Sequence, residues 1–419
     1  MDRRGPSRRA LAALREGAAS RGRAPVSRAL WPARYKRPRP RCGARGTHRI
    51  SSLRRAAFPG ESRRAGRCVT GTSVAMASVM IDFGGIVRGV LARAHVHPSP
   101  LAVGFEMTHL CNLECTYCDR HTPMNREMTR TQIFDALEGL RRRGMRHISL
   151  DGGEPLAHRH FDEVVAWLVA RGIRIYVNTN GILVPRRMAA IRQVRKIKVS
   201  LDGPPDRHDA MRGAGSHQKA MAGARAARAA GVAVELTCVV GTHNADAIDE
   251  LLDLVEAEGF QVIFQPARNS LFLDSPRDGS AFEPDGAQLR AAFARVEARK
   301  RSGSGVANRW SSLRHFRRFP DDTAVPCAAG WINVTMDPEG SLFHCGQVAR
   351  GDRSANVVSL GVDAAFARLR RSGCGQCWCA RVVEENLVWG GRLPAMLPLA
   401  GTEAAPRPSS GRRRLPLAR

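Results

Sequence analysis

The sequence has no apolar run close to the ~20 residues that a membrane-spanning helix needs. It also lacks the short apolar core of a secretory signal near its beginning. We therefore expect no membrane partner. Eight of the eleven cysteines lie in two clusters, whereas a disulfide framework would scatter them. Such clustering points to metal and to a reducing compartment, so the expected location is cytoplasmic.

Acidic residues are scarce at both ends of the chain, whose formal charge is +28. Residues 1–75 hold 20 Lys or Arg and three acids, and residues 405–419 hold five Arg and no acid. The two ends account for +17 and +5, which leaves +6 for residues 76–404. Because the body is only mildly basic and carries no recognisable RNA-binding motif, a nucleic-acid partner is not expected.

Residues 1–75 are rich in Arg and Pro and show no apolar periodicity, so they cannot bury enough apolar surface to offset the entropy of ordering. We expect this stretch to be disordered. It also has features of an organellar transit peptide, but the favoured interpretation is that it is not translated and that the protein starts at Met76 or Met80. The predicted organisation comprises the N-terminus 1–75, a lead-in helix 76–100, a catalytic core 101–301, a cysteine-rich module 302–385 and a tail 386–419 that is disordered from about 404.

From Leu101 onward, short β-branched runs alternate with segments of helical period, a pattern typical of βα units around a parallel sheet. The predicted strands are Leu101 to Thr108, His147 to Asp151, Ile173 to Asn178, Ile197 to Leu201, Val232 to Val240 and Val262 to Gln265. Six units predict an α/β fold, a partial (βα)6 TIM-like barrel with its functional groups at the carboxyl ends of the strands. After Arg301 a hairpin is predicted, with strands Ile332 to Met336 and Leu342 to His344.

Three cysteines follow the first predicted strand in the segment Cys111-Asn-Leu-Glu-Cys115-Thr-Tyr-Cys118. Three thiolates on one loop suit an iron–sulfur cubane, and three protein ligands leave the fourth iron open to a small molecule that carries an amine and a carboxylate. A structural zinc site or an ordinary electron-transfer cluster would need a fourth protein ligand, for which His109 and His121 are candidates.

This spacing, with Tyr117 before the third cysteine, resembles the radical S-adenosylmethionine superfamily. The resemblance covers residues 101–268 and includes further motifs, each at or after the carboxyl end of a predicted strand. These motifs are Gly152-Gly153-Glu154-Pro155, Asn178-Thr179-Asn180-Gly181, Ser200-Leu201-Asp202-Gly203, His208-Asp209 and Arg212-Gly213.

The resemblance implies that Cys111, Cys115 and Cys118 hold a 4Fe-4S cluster that reductively cleaves S-adenosylmethionine. The resulting deoxyadenosyl radical would abstract a hydrogen from the substrate, and the electron would come from a donor such as flavodoxin or ferredoxin. Arg212 would pair with the carboxylate of the cosubstrate, as a fork-shaped donor can. The implied cosubstrate-binding residues are Tyr117, Gly152, Gly153, Glu154, Pro155, Asn180, Ser200, Asp202 and Arg212.

The second cluster comprises Cys327, Cys345, Cys374, Cys377 and Cys379. The segment Gly340-Ser-Leu-Phe-His-Cys345 resembles the start of a SPASM or twitch extension, which carries auxiliary 4Fe-4S clusters. Five thiols suffice for one four-ligand cluster. The expected ligands are Cys327, Cys345, Cys374 and Cys377, with Cys379 as a replacement for one of them, and a structural zinc knuckle is the alternative.

In relatives such a module usually accompanies peptide or protein modification, so the expected function is that of a radical SAM enzyme that matures a peptide or protein. The alternatives are a radical SAM enzyme on a small-molecule metabolite and a non-catalytic iron–sulfur or zinc-binding protein. Cys238 lies in an apolar strand and is predicted to be a buried small apolar residue.

Overall fold

The structure is a computed structural model. It describes residues 98–118, 126–267, 280–318, 327–346, 351–369 and 377–389, together with residues 87, 89–91, 94 and 325. The predicted disordered ends and most of the predicted lead-in helix lie outside these residues, so those expectations and the domain limits stay predictions.

Eight strands form one sheet in the order β6-β5-β4-β3-β2-β1-β7-β8. Strands β1 to β6 are parallel neighbours in the order of the chain, which confirms the six predicted βα units and the partial barrel. Their bounds are β1 Ala102–Glu106, β2 His147–Asp151, β3 Arg174–Thr179, β4 Lys196–Ser200, β5 Val234–Val240, β6 Val262–Pro266, β7 Asn333–Met336 and β8 Leu342–Phe343.

Helices follow the strands, and some of them begin at a side-chain cap. Thr129 and Asp285 cap two helices through side-chain hydrogen bonds to the third residue beyond, Gln132 and Gln288. None of the described helices is long and apolar enough to cross a membrane. The helices are α1 Arg130–Arg142, α2 Phe161–Val169, α3 Met188–Ile191, α4 Pro205–Arg212, α5 Ser216–Ala229, α6 Ile248–Ala257, α7 Gly286–Arg301, α8 Trp310–Phe316, α9 Val357–Leu360, α10 Val362–Arg368 and α11 Ala380–Trp389.

Successive residues of a strand point to opposite faces of the sheet, and the two faces differ sharply here. On β4, Ile197 and Val199 belong to the apolar core between sheet and helices, while Lys196, Lys198 and Ser200 lie on the other face. We call this second face the inner face. The polar residues on the inner face do not belong to the apolar core, so this face is the side of the sheet on which polar side chains can bind a ligand.

The cysteine-rich segment contributes to the same sheet as the barrel. Its hairpin, predicted from the turn after Met336, is confirmed with β7 antiparallel to β8. In addition, β7 pairs in parallel with β1, so β1 lies between β2 and β7. This pairing was not predicted, because β7 is only four residues long and its partner is more than 200 residues away.

Candidate active site

The loop between β1 and Cys118, which we call the cysteine loop, is held from two sides by backbone hydrogen bonds. The amide of Gly153 donates to the carbonyl of Thr108 at 2.8 Å, and the amide of Glu154 donates to the carbonyl of Leu110 at 2.8 Å. On the other side, the amide of Thr116 donates to the carbonyl of Met211 at 2.9 Å. The three cysteines therefore sit on a loop fixed to the ends of β2 and α4.

Close approach explains why two glycines follow β2. A Cβ on Gly152 would lie 2.5 Å from the carbonyl oxygen of Thr108, and one on Gly153 would lie 2.4 Å from that of Leu110. Gly152 also has φ of +123°, which side chains disfavour. The two glycines thus let the loop after β2 lie directly against the cysteine loop.

The three thiols lie within electrostatic range of one another. Burial raises the pKa of Cys115 to about 11, and the charges of Cys111 and Cys118 act in the same direction, whereas the guanidinium of Arg212 lowers it. Burial also raises the pKa of Cys111, on which Cys118 and Arg212 act as well. A positive charge beside three partly buried thiols favours their thiolate forms, which are the forms that bind iron.

The chemistry of these donors fits an iron–sulfur cubane. Within the described ranges, no three His, Cys, Asp or Glu side chains lie close enough together to hold a single metal ion. In a cubane each thiolate binds a different iron, so the sulfurs need to surround a common volume without converging on one point. Of the two candidate fourth ligands, His109 is buried in the cysteine loop and His121 lies outside the described residues.

Glu154 joins the loops that follow β2 and β3. Its carboxylate accepts hydrogen bonds from the amide of Asn180 at 2.8 Å, the hydroxyl of Thr179 at 2.8 Å and the amide of Leu156 at 3.1 Å. Burial raises its pKa to about 7, although these donors oppose the shift. Both oxygens are thus engaged by the protein itself, which makes Glu154 a connector between two loops.

Asn180 extends this connection to the cysteine loop. Its side-chain amide donates to Asn112 Oδ1 at 2.7 Å, next to Cys111. Pro155 opens a short 3₁₀ helix directly after Glu154, and Ser200 ends β4 on the inner face. The predicted site residues on β2, β3 and β4 therefore lie at the carboxyl ends of adjacent strands.

Asp202 is the fully buried centre of a second network. Its Oδ2 accepts from the hydroxyl of Tyr117 at 2.6 Å and from Nε of Arg212 at 2.6 Å, and the guanidinium lies 5.4 Å from the centre of the Tyr117 ring. Burial alone would raise the pKa of Asp202, but the adjacent Arg212 brings it to about 2. A permanent ion pair thus fixes Tyr117, and with it the cysteine loop, to the end of β4.

Three further residues support Asp202 or Tyr117 and were given no role from sequence. His208 Nδ1 accepts from the amide of Asp202 at 3.1 Å, and Asn244 donates to the carbonyl of Val239 at 2.9 Å and to that of Asp202. His243 stacks on Tyr117 at 6.0 Å between ring centres. The polar run Gly241-Thr-His-Asn244 directly after β5 was the signal that could have found the last two.

Four cysteines of the second cluster are also brought together. Burial raises the pKa of Cys377, and the charges of Cys379, Cys345 and Cys327 raise it further. Cys374 lies outside the described residues. Cys238 is fully buried on the helix side of β5, as predicted.

Comparison with known proteins identifies the family. A family model described as the radical SAM superfamily matches residues 105–255. A PqqA peptide cyclase from Streptomyces rochei is 31% identical over 259 residues, which cover 59% of this chain and 69% of that protein. The chain belongs to the radical SAM superfamily.

Other radical SAM proteins show similarity over more of the chain. A PqqA peptide cyclase from Xanthomonas campestris pv. campestris is 29% identical over 333 residues, which cover 73% of this chain and 85% of that protein. The crystal structure of Streptococcus suis SuiB bound to its precursor peptide SuiA matches in fold, with a TM-score of 0.51 at 15% identity over 74% of this chain and 70% of that one. As a radical SAM protein this chain is an enzyme, and its cofactors are a 4Fe-4S cluster and S-adenosylmethionine.

Proposed function

We propose that Cys111, Cys115 and Cys118 hold the catalytic cluster and that this enzyme matures a peptide or protein substrate. The observation that carries the assignment is the joining of the three-thiol loop to the Gly152–Pro155 loop by two backbone hydrogen bonds. Peptide substrates are supported by the names of two relatives, which are PqqA peptide cyclases, and by the SuiB complex with a precursor peptide.

Each proposed cosubstrate residue has a task that follows from its contacts. When bound, the cluster supplies the electron that cleaves the sulfonium of S-adenosylmethionine. The Gly152–Pro155 backbone lies against the cysteine loop and is proposed to bind the methionine amino group, while Arg212, fixed by Asp202, offers its guanidinium to the carboxylate. Glu154 and Asn180 hold the loops after β2 and β3 against the cysteine loop. Ser200 and Asp202, at the end of β4, are proposed to lie beside the ribose of the cosubstrate.

The substitution Cys115→Ala tests the assignment of the cluster. It removes one of three ligands, so iron uptake should drop and release of deoxyadenosine under anaerobic reducing conditions should fall by at least about 100-fold, the scale of losing a central catalytic group. Cys238→Ala is the matched control and should retain iron uptake, because it removes a thiol that is not a proposed ligand; Cys238 lies in the apolar core on the helix side of β5, with Asn244 as its polar neighbour at 3.6 Å. Deoxyadenosine release at the wild-type rate by the Cys115 variant would refute the assignment.

An auxiliary 4Fe-4S cluster is proposed for the second group of thiols. The charges of Cys327, Cys345 and Cys379 all act on Cys377, so Cys379 joins the expected set, and Cys374 remains a candidate. A full-length variant with Cys111, Cys115 and Cys118 all replaced by Ala should still bind about four irons and four sulfides after anaerobic reconstitution. Adding Cys374→Ala or Cys379→Ala to it identifies the fourth ligand by its lower iron content, and bound zinc without sulfide would contradict the proposal.

The remaining proposals concern the setting of the reaction. The electron donor is a small redox protein such as flavodoxin or ferredoxin, and the site of action is the cytoplasm, where clustered thiols stay reduced. Incubation with short peptides encoded beside the gene, followed by mass spectrometry, tests the substrate class. A small-molecule metabolite, the alternative substrate, would leave every such peptide at its original mass.

A further inference from the structure

A row of five polar residues crosses the inner face of the sheet directly below the active site. The strand register aligns Glu106 with Asp151, Asn178 with Lys198, and Lys198 with Glu235. The side chain of Asn178 donates to Asp151 Oδ1, which joins the two halves of the row. Asp151 is followed at once by Gly152, so the row forms the layer beneath the cosubstrate loops.

The two ends of this row differ in how many hydrogen-bond and ion-pair partners their polar groups have. On β2, Asp151 Oδ1 accepts from both Ser149 and Asn178, and the charge of Arg381 on α11 acts on the same carboxylate. On β4 and β5, two ammonium groups share one carboxylate. Lys196 Nζ lies 3.2 Å from one oxygen of Glu235, and Lys198 Nζ lies 3.4 Å from the other.

This second end has more donors than acceptors. Each ammonium carries three N–H donors, so two lysines and one carboxylate leave most of the donors without a charged acceptor. The contact of Lys198 Nζ with Glu235 Oε1 at 3.4 Å is an ion pair without a hydrogen bond, so neither group is fully satisfied by the other. The hydroxyl of Thr237, the next inner-face residue of β5, is buried without a hydrogen-bond partner among the described residues. The lysine side chains are 27% and 20% exposed, so a molecule on the inner face can reach them.

A ligand that completes this arrangement must bring acceptor oxygens and a negative charge. A carboxylate does both, because it accepts several hydrogen bonds and offsets the extra positive charge. We propose that Lys196, Lys198 and Thr237 form a substrate subsite that binds a carboxylate, either an Asp or Glu side chain or the carboxyl terminus of a peptide. This subsite rests on the proposed peptide function, and Glu235 acts in it as a positioning residue that holds the two ammonium groups.

Calorimetric titration of the reconstituted enzyme with S-adenosylmethionine present tests this subsite. The probes are N-acetyl-glutamate N-methylamide, its glutamine analogue and N-acetyl-alanine. The wild type should bind a carboxylate probe about tenfold more tightly than the glutamine analogue, which is about 1.4 kcal/mol. Preference for the glutamate probe over N-acetyl-alanine assigns the subsite to an acidic side chain, and the reverse preference assigns it to a carboxyl terminus.

Two substitutions should act in opposite directions. Lys198→Gln removes one ammonium and should abolish the preference for a carboxylate, while Glu235→Gln removes the internal competitor and should strengthen carboxylate binding several-fold. Lys219→Gln, at an exposed position on α5, is the matched control and should leave all three affinities unchanged. If the lysines and Glu235 served only the fold, both variants would lose stability without opposite effects on binding, and that result would overturn the proposal.

The same variants separate this proposal from the function on which it rests. Lys198→Gln should still release deoxyadenosine in the absence of substrate at the wild-type rate, because it leaves the cysteine loop intact. Failure of the wild type to release deoxyadenosine would refute the radical SAM assignment of the cysteine loop. A wild type that releases deoxyadenosine but shows no preference for carboxylate probes would refute the subsite alone. The double variant Lys198→Gln with Glu235→Gln removes one charge of each sign and leaves Lys196, which is 27% exposed, as the remaining charge. Its urea unfolding transition checks that loss of binding is not loss of folding.

Discussion

The absence of one side-chain atom at Gly153 lets the loop after β2 lie against the cysteine loop. Its backbone φ is not in the left-handed region, so alanine would fit the local conformation of the chain. The obstacle is a neighbour, since an added Cβ would lie 2.4 Å from the Leu110 oxygen and 2.8 Å from the His109 oxygen. Both neighbours are backbone atoms of the cysteine loop and cannot rotate away.

The substitution Gly153→Ala should therefore push the cysteine loop away from β2 and weaken two backbone hydrogen bonds. We expect a loss of about 1–3 kcal/mol in the free energy of unfolding, the usual cost of overpacking, together with reduced iron uptake. Urea unfolding and iron analysis after anaerobic reconstitution measure these effects. Gly351→Ala is the control, because no heavy atom lies within 4 Å of its added Cβ. Full iron content and unchanged stability in the Gly153 variant would disprove this account of the loop contact.

Several residues that lie at the site were predicted from the sequence, but the contacts that they make there were not. Tyr117, Asp202 and Arg212 were each expected to address the cosubstrate, and the structure brings them together, but as partners of one another. Asn244 was not found at all. The polar run after β5 could have indicated Asn244 as a site residue, but its acceptor, the carbonyl of Asp202, is 42 residues away, so no local pattern could have indicated this contact.

At the level of elements, strands with alternating or continuous apolar residues were predicted well. The second strand has the predicted bounds, His147–Asp151, and the others differ from their predicted bounds by one or two residues at one or both ends. Helix α4, Pro205–Arg212, was missed because it is short, begins at a proline pair and buries only His208 and Met211. Its amphipathic pattern is too weak to stand out, yet its carbonyl at Met211 anchors the cysteine loop.

The inner-face row depends on the alternation of side chains between the two faces of each strand. Lys196 and Lys198 stand two apart on β4, and Glu235 and Thr237 stand two apart on β5. Such spacing places each pair on one face, but only the register between strands shows that Lys198 lies beside Glu235. Register depends on tertiary packing, so the subsite was not visible from the sequence.

Across the whole molecule, the cysteine-rich segment is joined to the barrel by the pairing of β7 with β1 and by a contact between α11 and β6, and α11 also makes contacts on its own side of residue 302. Strand β7 pairs with β1. Helix α11 adds contacts with three other parts of the chain. The amide of Ala380 donates to Gln265 on β6 at 3.3 Å, and Asn386 accepts from the amide of Ala328 at 2.9 Å. Glu384 accepts from the amide of Arg309 and the hydroxyl of Ser312, both at 3.0 Å.

These contacts predict that destabilising α11 will also destabilise the barrel strands. Glu384→Ala removes the acceptor shared by Arg309 and Ser312, and we expect a loss of about 1–3 kcal/mol in the free energy of unfolding. Hydrogen exchange followed by mass spectrometry should become faster in α11 and also in peptides from β6 and β1, because these strands lose support together with the helix. The control is Glu250→Ala, an exposed position on α6 that should change neither quantity. If only peptides after residue 302 exchanged faster, the cysteine-rich segment would be an energetically separate domain, since its opening would leave the pairing of β1 with β2 intact.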